Sequence, residues 1–132
     1  MGALEVDKEG NVNAHRGPGA FAGIGGFANI TAKTPTVVFC FSFTAKGLEV
    51  SQKKGGIVEI EKEGSISKFV DRVKSISFSA RRAIANGQKV LYVTERCVFR
   101  LTPKGGLKLI EVYPGIDVQK DILDLLPFEV EV

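Results

Sequence analysis

Thr36-Val37-Val38-Phe39-Cys40-Phe41-Ser42-Phe43 is apolar on both alternating sets of positions at its centre. A strand with one wet face alternates apolar and polar residues, so this run predicts a strand covered on both faces, in the middle of a sheet. Pro35 ends whatever precedes it, and Thr44-Ala45-Lys46-Gly47 turns the chain behind it. Downstream, Leu48 to Gln52 and Ile57 to Glu61 alternate on either side of Lys53-Lys54-Gly55-Gly56, which predicts two strands joined by a turn. Upstream, Ala3 to Val6 and Asn11 to Asn13 flank Asp7-Lys8-Glu9-Gly10 and predict a short hairpin.

The second half continues in the same manner. Val73 to Phe78 is read as a further strand from the spacing of Val73, Ile76 and Phe78. Ser79 caps a short helix over Ala80 to Ala85, which Asn86-Gly87 ends. Lys89 to Thr94 and Cys97 to Thr102 read as strands joined through Glu95-Arg96, and Leu107 to Val112 follows the turn Pro103-Lys104-Gly105-Gly106. Asp117 is placed to cap a helix from Val118 to Leu126, with Pro127 just beyond its end. Together these predict an α/β fold with a mixed, largely antiparallel sheet and a few short helices. Residues 1–132 form a single domain on this reading, since no repeat, linker or low-complexity segment divides them.

Ahead of the Thr36 strand lies Gly17-Pro18-Gly19-Ala20-Phe21-Ala22-Gly23-Ile24-Gly25-Gly26-Phe27, with five glycines in eleven residues. Without a Cβ, such a segment can bring several main-chain N–H groups onto one anionic atom. The same residues also serve tight turns where elements pass closely. Gly23, Gly25 and Ala28 spell a dinucleotide-binding G-x-G-x-x-A, but the context opposes it. That fingerprint needs a buried strand before the glycines and a full helix after them. Here Asn11 to Arg16 is polar, and Ala28 to Thr34 allows about two helical turns before Pro35.

With 44% hydrophobic and 25% charged residues, a packed domain is expected and disorder is not. The net charge of +3 is mild and the basic residues are interspersed with acids, so no nucleic-acid stripe is expected. Cys40 and Cys97 sit in apolar strand settings without C-x-x-C spacing, which predicts buried thiols in a reducing compartment. The lone His15 cannot build a metal site. No stretch reaches the ~18 apolar residues of a membrane span, and the start of the chain lacks a basic n-region and a long apolar core. A cytoplasmic protein is expected, with neither a membrane nor a nucleic acid as partner.

Five pieces, in order, carry a resemblance. Asp7-x-x-Gly10-Asn11-Val12-Asn13, Gly23-x-Gly25-Gly26-Phe27, Phe43-Thr44-Ala45-x-Gly47-Leu48, Val90 to Phe99 with its Thr94-Glu95-Arg96, and Pro114-Gly115-Ile116-Asp117-x-x-x-Asp121-Ile122 resemble the C-terminal part of family I coenzyme A transferases. The flavour is that of the acetate/propionate and 3-oxoacid enzymes, and the resemblance spans essentially the whole chain. It implies a CoA-transferase-like fold, coenzyme A as substrate with no separate cofactor, and acyl-CoA metabolism. In that family a glutamate attacks the acyl-CoA thioester and holds CoA as a glutamyl thioester, splitting one difficult exchange into easier steps. By resemblance, the amides of Gly25 and Gly26 stabilise oxyanions, and Gly23, Gly25, Gly26 and Phe27 line the CoA site. Converging amides in a water-poor pocket are what a developing oxyanion requires.

One departure shapes the expectation. The family's nucleophile sits in a Glu-Asn-Gly or Glu-Ser-Gly setting, upstream of the part this chain matches, and none of the glutamates here has that context. Glu95 matches a family pattern as a turn between strands, not as the nucleophile, and a solvated or salt-bridged side chain is expected there. The chain is therefore expected to be the C-terminal segment of a CoA-transferase domain, inactive alone. Its expected partners are acyl-CoA or CoA, the missing N-terminal half or a partner subunit, and a further copy of itself. The rival expectation is a stand-alone interaction or regulatory domain derived from the same fold.

Overall fold

The computed structural model describes residues 2–14, 35–74 and 76–132. Its largest sheet joins β3 (Thr36–Cys40), β9 (Lys89–Val93), β10 (Cys97–Leu101) and β11 (Leu107–Val112) in the order β11-β10-β9-β3. β3 runs parallel to β9, while β9, β10 and β11 are antiparallel neighbours. The turn between β10 and β11 uses Gly105 and Gly106 at φ 87° and 93°, conformations that a side chain disfavours. A second sheet joins β1 (Glu5–Asp7), antiparallel to β2 (Val12–Asn13) and parallel to β8 (Phe69–Val70). Two smaller antiparallel pairs complete the architecture: β4 (Thr44–Ala45) with β7 (Ile66–Ser67), and β5 (Glu49–Gln52) with β6 (Val58–Lys62). The mixed, mainly antiparallel pairing with few helices is the fold class expected from the sequence.

The core follows from the alternation of the strands. Val37 and Phe39 of β3, Val90 and Tyr92 of β9, Phe99 and Leu101 of β10, and Leu107 and Leu109 of β11 are all buried. Phe39 stacks on Tyr92 at 5.8 Å and meets Phe78 edge-on at 5.1 Å. Helix α1 (Ala80–Ala85) starts at Ser79, whose Oγ accepts from Arg82 N at 3.3 Å, and it buries Ala80 and Ala83. Asp117 caps the C-terminal segment as expected, accepting from Lys120 N at 2.9 Å. The helix behind it is a π turn over Val118–Ile122 followed by a 3-10 turn over Leu123–Leu125.

The Asp7-to-Asn13 motif has a physical explanation. Asp7 is 3% exposed, and its carboxylate accepts from Glu9 N, Asn11 N, Asn11 Nδ2 and Val73 N at 3.0–3.3 Å. Gly10 takes φ 93°, and its carbonyl accepts the Tyr92 hydroxyl at 2.6 Å. A Cβ there would lie 2.7 Å from both Tyr92 Oη and Leu101 Cδ1. Asn11 Oδ1 accepts from Ala80 N at the first turn of α1, at 2.8 Å. One turn of chain thus fastens the β1–β2 hairpin to the large sheet and to α1. Each bond satisfies a group that would otherwise be buried and unpaired.

Three expectations need correction. β3 lies at the edge of its sheet, because among the described residues it borders β9 alone. Its two-sided apolar pattern reflects half-buried Val38 and a half-buried Phe41 that packs on Phe69 at 5.6 Å, not a second flanking strand. Cys40, at the end of that edge strand, is exposed, whereas Cys97 is buried as expected; both thiols are free. Val73 to Phe78 forms no strand. Val73 N is tied to the Asp7 carboxylate, Ile76 stays 57% exposed, and Phe78 makes one isolated bridge to Val12.

Candidate functional site

Gly23, Gly25, Gly26 and Phe27, the expected oxyanion and CoA residues, lie outside the described residues. The chain on either side of them is held firmly. Ala14 N donates to Ser77 Oγ at 2.8 Å, and the Pro35 carbonyl accepts from Lys89 N at 2.9 Å. Pro35 thus fixes the start of β3 beside Lys89, the first residue of β9. The opposite end of the β3–β9 pair, about 17 Å away for five residues, carries a different constellation.

At that far end sits Arg96, fully buried, in the turn between β9 and β10. Its guanidinium donates to Glu63 at 2.9 and 3.0 Å, to Glu95 Oε2 at 2.6–2.7 Å and to the Asp121 carbonyl at 2.9 Å. It also lies 4.6 Å from the centre of the Phe43 ring, a cation–π contact. The other oxygen of Glu95 accepts from Phe43 N at 2.7 Å. Glu63 additionally accepts from the Thr44 hydroxyl at 2.6 Å. Three of the five family-like stretches, those around Phe43, Glu95 and Asp121, thus converge on one arginine. Arg96 and Glu63 were not anticipated. The available signal was a charged Glu95-Arg96 pair set inside an otherwise apolar run.

The electrostatics match this geometry. Burial disfavours a charged Arg96, but hydrogen bonds and charge from Glu63 and Glu95 outweigh it and raise its pKa. Burial likewise pushes the Glu63 carboxyl up, yet the bonds from Arg96 and Thr44 and the Arg96 charge win and hold it below the ordinary value. A carboxylate with a depressed folded pKa stabilises the fold fully above its unfolded value of ~4.3, and that contribution is lost as pH falls through the folded value. Glu63→Gln is therefore expected to lower stability at neutral pH, with the gap to the parent protein closing below about pH 4. Urea titrations at several pH values check this; an equal gap at every pH would show that the Glu63 charge contributes nothing.

Glu95 has one oxygen on an amide and the other on a guanidinium, which leaves a carboxylate committed to position rather than to nucleophilic attack. It behaves as the salt-bridged turn residue expected, although its side chain is only 18% exposed. The Cys97 thiol is pushed up to about 12 by burial, so it carries no thiolate at neutral pH. No group of three or more His, Cys, Asp or Glu among the described residues is arranged to hold a metal ion, and no helix among them is long and apolar enough to cross a membrane. Beside Glu95 opens a cleft of about 430 Å³, walled by Val50, Ser51 and Val58 on the β5–β6 side and by Tyr113 and Pro114 on the other.

No family model matches the chain. Individual proteins do. The chain is 46% identical, over 97% of its length, to the caffeate CoA-transferase of Acetobacterium woodii. It is 43% identical, over 94% of its length, to the acetate CoA-transferase YdiF of Escherichia coli K12. It spans about a quarter of the length of these relatives, 25% and 23% respectively. Among solved structures, the acyl-CoA transferase YdiF apoenzyme of Escherichia coli O157:H7 superposes with a TM-score of 0.91 at 41% identity, covering 98% of this chain and 25% of that one. A thioester complex of the same enzyme with CoA gives 0.90. The glutaconate CoA-transferase of Acidaminococcus fermentans, at 18% identity and a TM-score of 0.65, shares the fold over 48% of its chain. Matched in sequence and in backbone along nearly its whole length, the chain belongs to the CoA-transferases and corresponds to about a quarter of a full-length member.

Proposed function

We propose that the chain is the C-terminal portion of an acyl-CoA:carboxylate CoA-transferase and forms a single domain. In this reading the Gly23-to-Phe27 loop lines the CoA site, and the amides of Gly25 and Gly26 stabilise the oxyanions of thioester exchange. The nucleophilic glutamate comes from the rest of the full-length enzyme, because no glutamate here is followed by Asn-Gly or Ser-Gly. The observation that carries the proposal is the CoA thioester complex of YdiF, whose backbone this chain follows at a TM-score of 0.90. Assembly with the remaining part of the enzyme, self-association and a cytoplasmic location belong to the same reading.

The test is a calorimetric titration of the purified chain with CoA and acetyl-CoA, with NAD as control. Saturable heat with the CoA compounds and none with NAD is expected, together with no CoA exchange between acetyl-CoA and propionate. Exchange by the chain alone would overturn the assignment of the nucleophile to the rest of the enzyme. Binding of NAD alone would overturn the CoA site.

A further inference from the structure

Two clefts meet at the turn between β10 and β11 and share Pro103 and Lys104 in their walls. The larger, about 530 Å³, lies between that turn, the β1–β2 turn and α1. The smaller, about 380 Å³, is walled by β10, β11 and the C-terminal tail. Cations gather here from separate parts of the sequence: Lys8 and Arg81 line the first cleft, Arg100 and Lys108 the second, and Lys104 both. All five are exposed, and among the described residues only Lys8 has an ion-pair partner, Asp71 at 3.3 Å. Glu9 and Glu131 are the carboxylates that oppose them. The local surplus therefore equals the +3 of the whole chain, whose other charges balance.

The clefts are held in shape by bonds of the chain itself. Thr102 N donates to the Gly106 carbonyl and Gly105 N to the Thr102 carbonyl, both at 3.0 Å, and Gly106 N reaches the Glu9 carbonyl at 3.4 Å. Asn11 fixes the start of α1 through Ala80 N. A preformed site loses less ordering entropy when it binds. Apolar groups lie among the charges: Ala80 and Ile84 in the first cleft, Leu101 in the second and Pro103 in both. That mixture restricts the occupant. A simple anion reaches one cleft and leaves the apolar walls wet. Single-stranded nucleic acid stacks on aromatic platforms, and no aromatic side chain lines either cleft among the described residues. An extended polypeptide sets side chains of one face roughly 7 Å apart, so its carboxylates can meet separate cations while aliphatic neighbours cover Ile84 and Pro103.

We propose that these paired clefts dock an extended segment of a partner protein, rich in Asp or Glu and in aliphatic side chains. Arg81 and Lys104 steer and orient the segment by charge, and Ile84 and Pro103 take its aliphatic groups. The proposal does not depend on the CoA-transferase reading above.

The experiment is amide-resolved NMR of the 132-residue chain. It is titrated separately with a short peptide of mixed Glu and Leu, the same peptide with Gln for Glu, the same with Ser for Leu, tripolyphosphate and single-stranded RNA. The Glu–Leu peptide is expected to shift the amides of Arg81 and of Lys104 to Gly106 saturably, with an affinity that falls as salt rises. The Gln and Ser peptides are expected to bind about tenfold more weakly. Arg81→Gln and Lys104→Gln, both at exposed positions, are expected to weaken the Glu–Leu peptide roughly threefold each, spectral dispersion reporting the fold. No shifts from that peptide, or unchanged affinity in both variants, would overturn the proposal. Equal affinity for the Ser peptide, or tighter binding of tripolyphosphate, would reduce the clefts to a general anion site. Tighter binding of RNA would make them a nucleic-acid surface and overturn the protein partner. Shifts of the same amides on diluting the chain alone would assign the clefts to a second copy instead.

Discussion

Arg96→Met is expected to cost about 3–5 kcal/mol of folding stability, the scale seen when one partner of a buried ion pair is removed. Methionine fills much of the space and keeps the contact with the Phe43 ring, so a cavity is not the main loss. The loss comes from Glu63 and Glu95, left facing each other across the site without the guanidinium, and from an orphaned Asp121 carbonyl. Against a typical total of 5–15 kcal/mol for a domain, that is a large share. Urea denaturation of the two proteins checks it. Adding Glu63→Gln to Arg96→Met is expected to recover part of the loss, since it removes one of the stranded charges. A change within ~0.5 kcal/mol, the scale of an ordinary surface substitution, would show that Arg96 does not hold these segments together.

Much of the architecture was legible because its signals are local. The β5–β6 pair alternates around Gly55-Gly56, the β1–β2 pair around Gly10, and the helix at Ala80 is bracketed by Ser79 and Gly87. Each signal needs only a few neighbouring residues. What could not be read depends on partners distant in sequence. The apolar pattern of β3 reports that its faces are covered and says nothing of how many strands flank it, so its edge position was missed. β8 is two residues long, too short for periodicity to register, and it exists because Val6 and Asp7 of β1 pair with it. The Arg96 cluster spans 33 residues to Glu63 and 25 to Asp121. Its Glu95 was legible as a solvated or salt-bridged turn residue because strand ends commonly carry charges, while its partners were not. The glycine segment at Gly23 to Phe27 was the strongest functional signal in the sequence, and it lies outside the described residues.

Phe69→Ala is expected to be as damaging, at about 3–5 kcal/mol for a buried aromatic truncated in a packed core. Phe69 is 1% exposed on a strand that sequence reading overlooked, yet its ring touches four others. It lies 4.7 Å from Phe43, 5.4 Å from Phe99, 5.6 Å from Phe41 and 6.3 Å from Phe128, centre to centre. Those rings belong to the segment after β3, to β10 and to the C-terminal tail, so one side chain locks the small β1–β8 sheet to the large one. Phe69→Leu keeps most of the apolar volume and is expected to lose less than half as much as alanine. Phe128→Ala, at a half-buried ring with one of these contacts, is expected to lose less again. Chemical denaturation of the three variants orders them. If Phe69→Ala proved no worse than Phe128→Ala, the aromatic cluster would not be what joins the two sheets. The joining would then fall to the polar lock of Asp7, Gly10 and Asn11 against Tyr92 and α1.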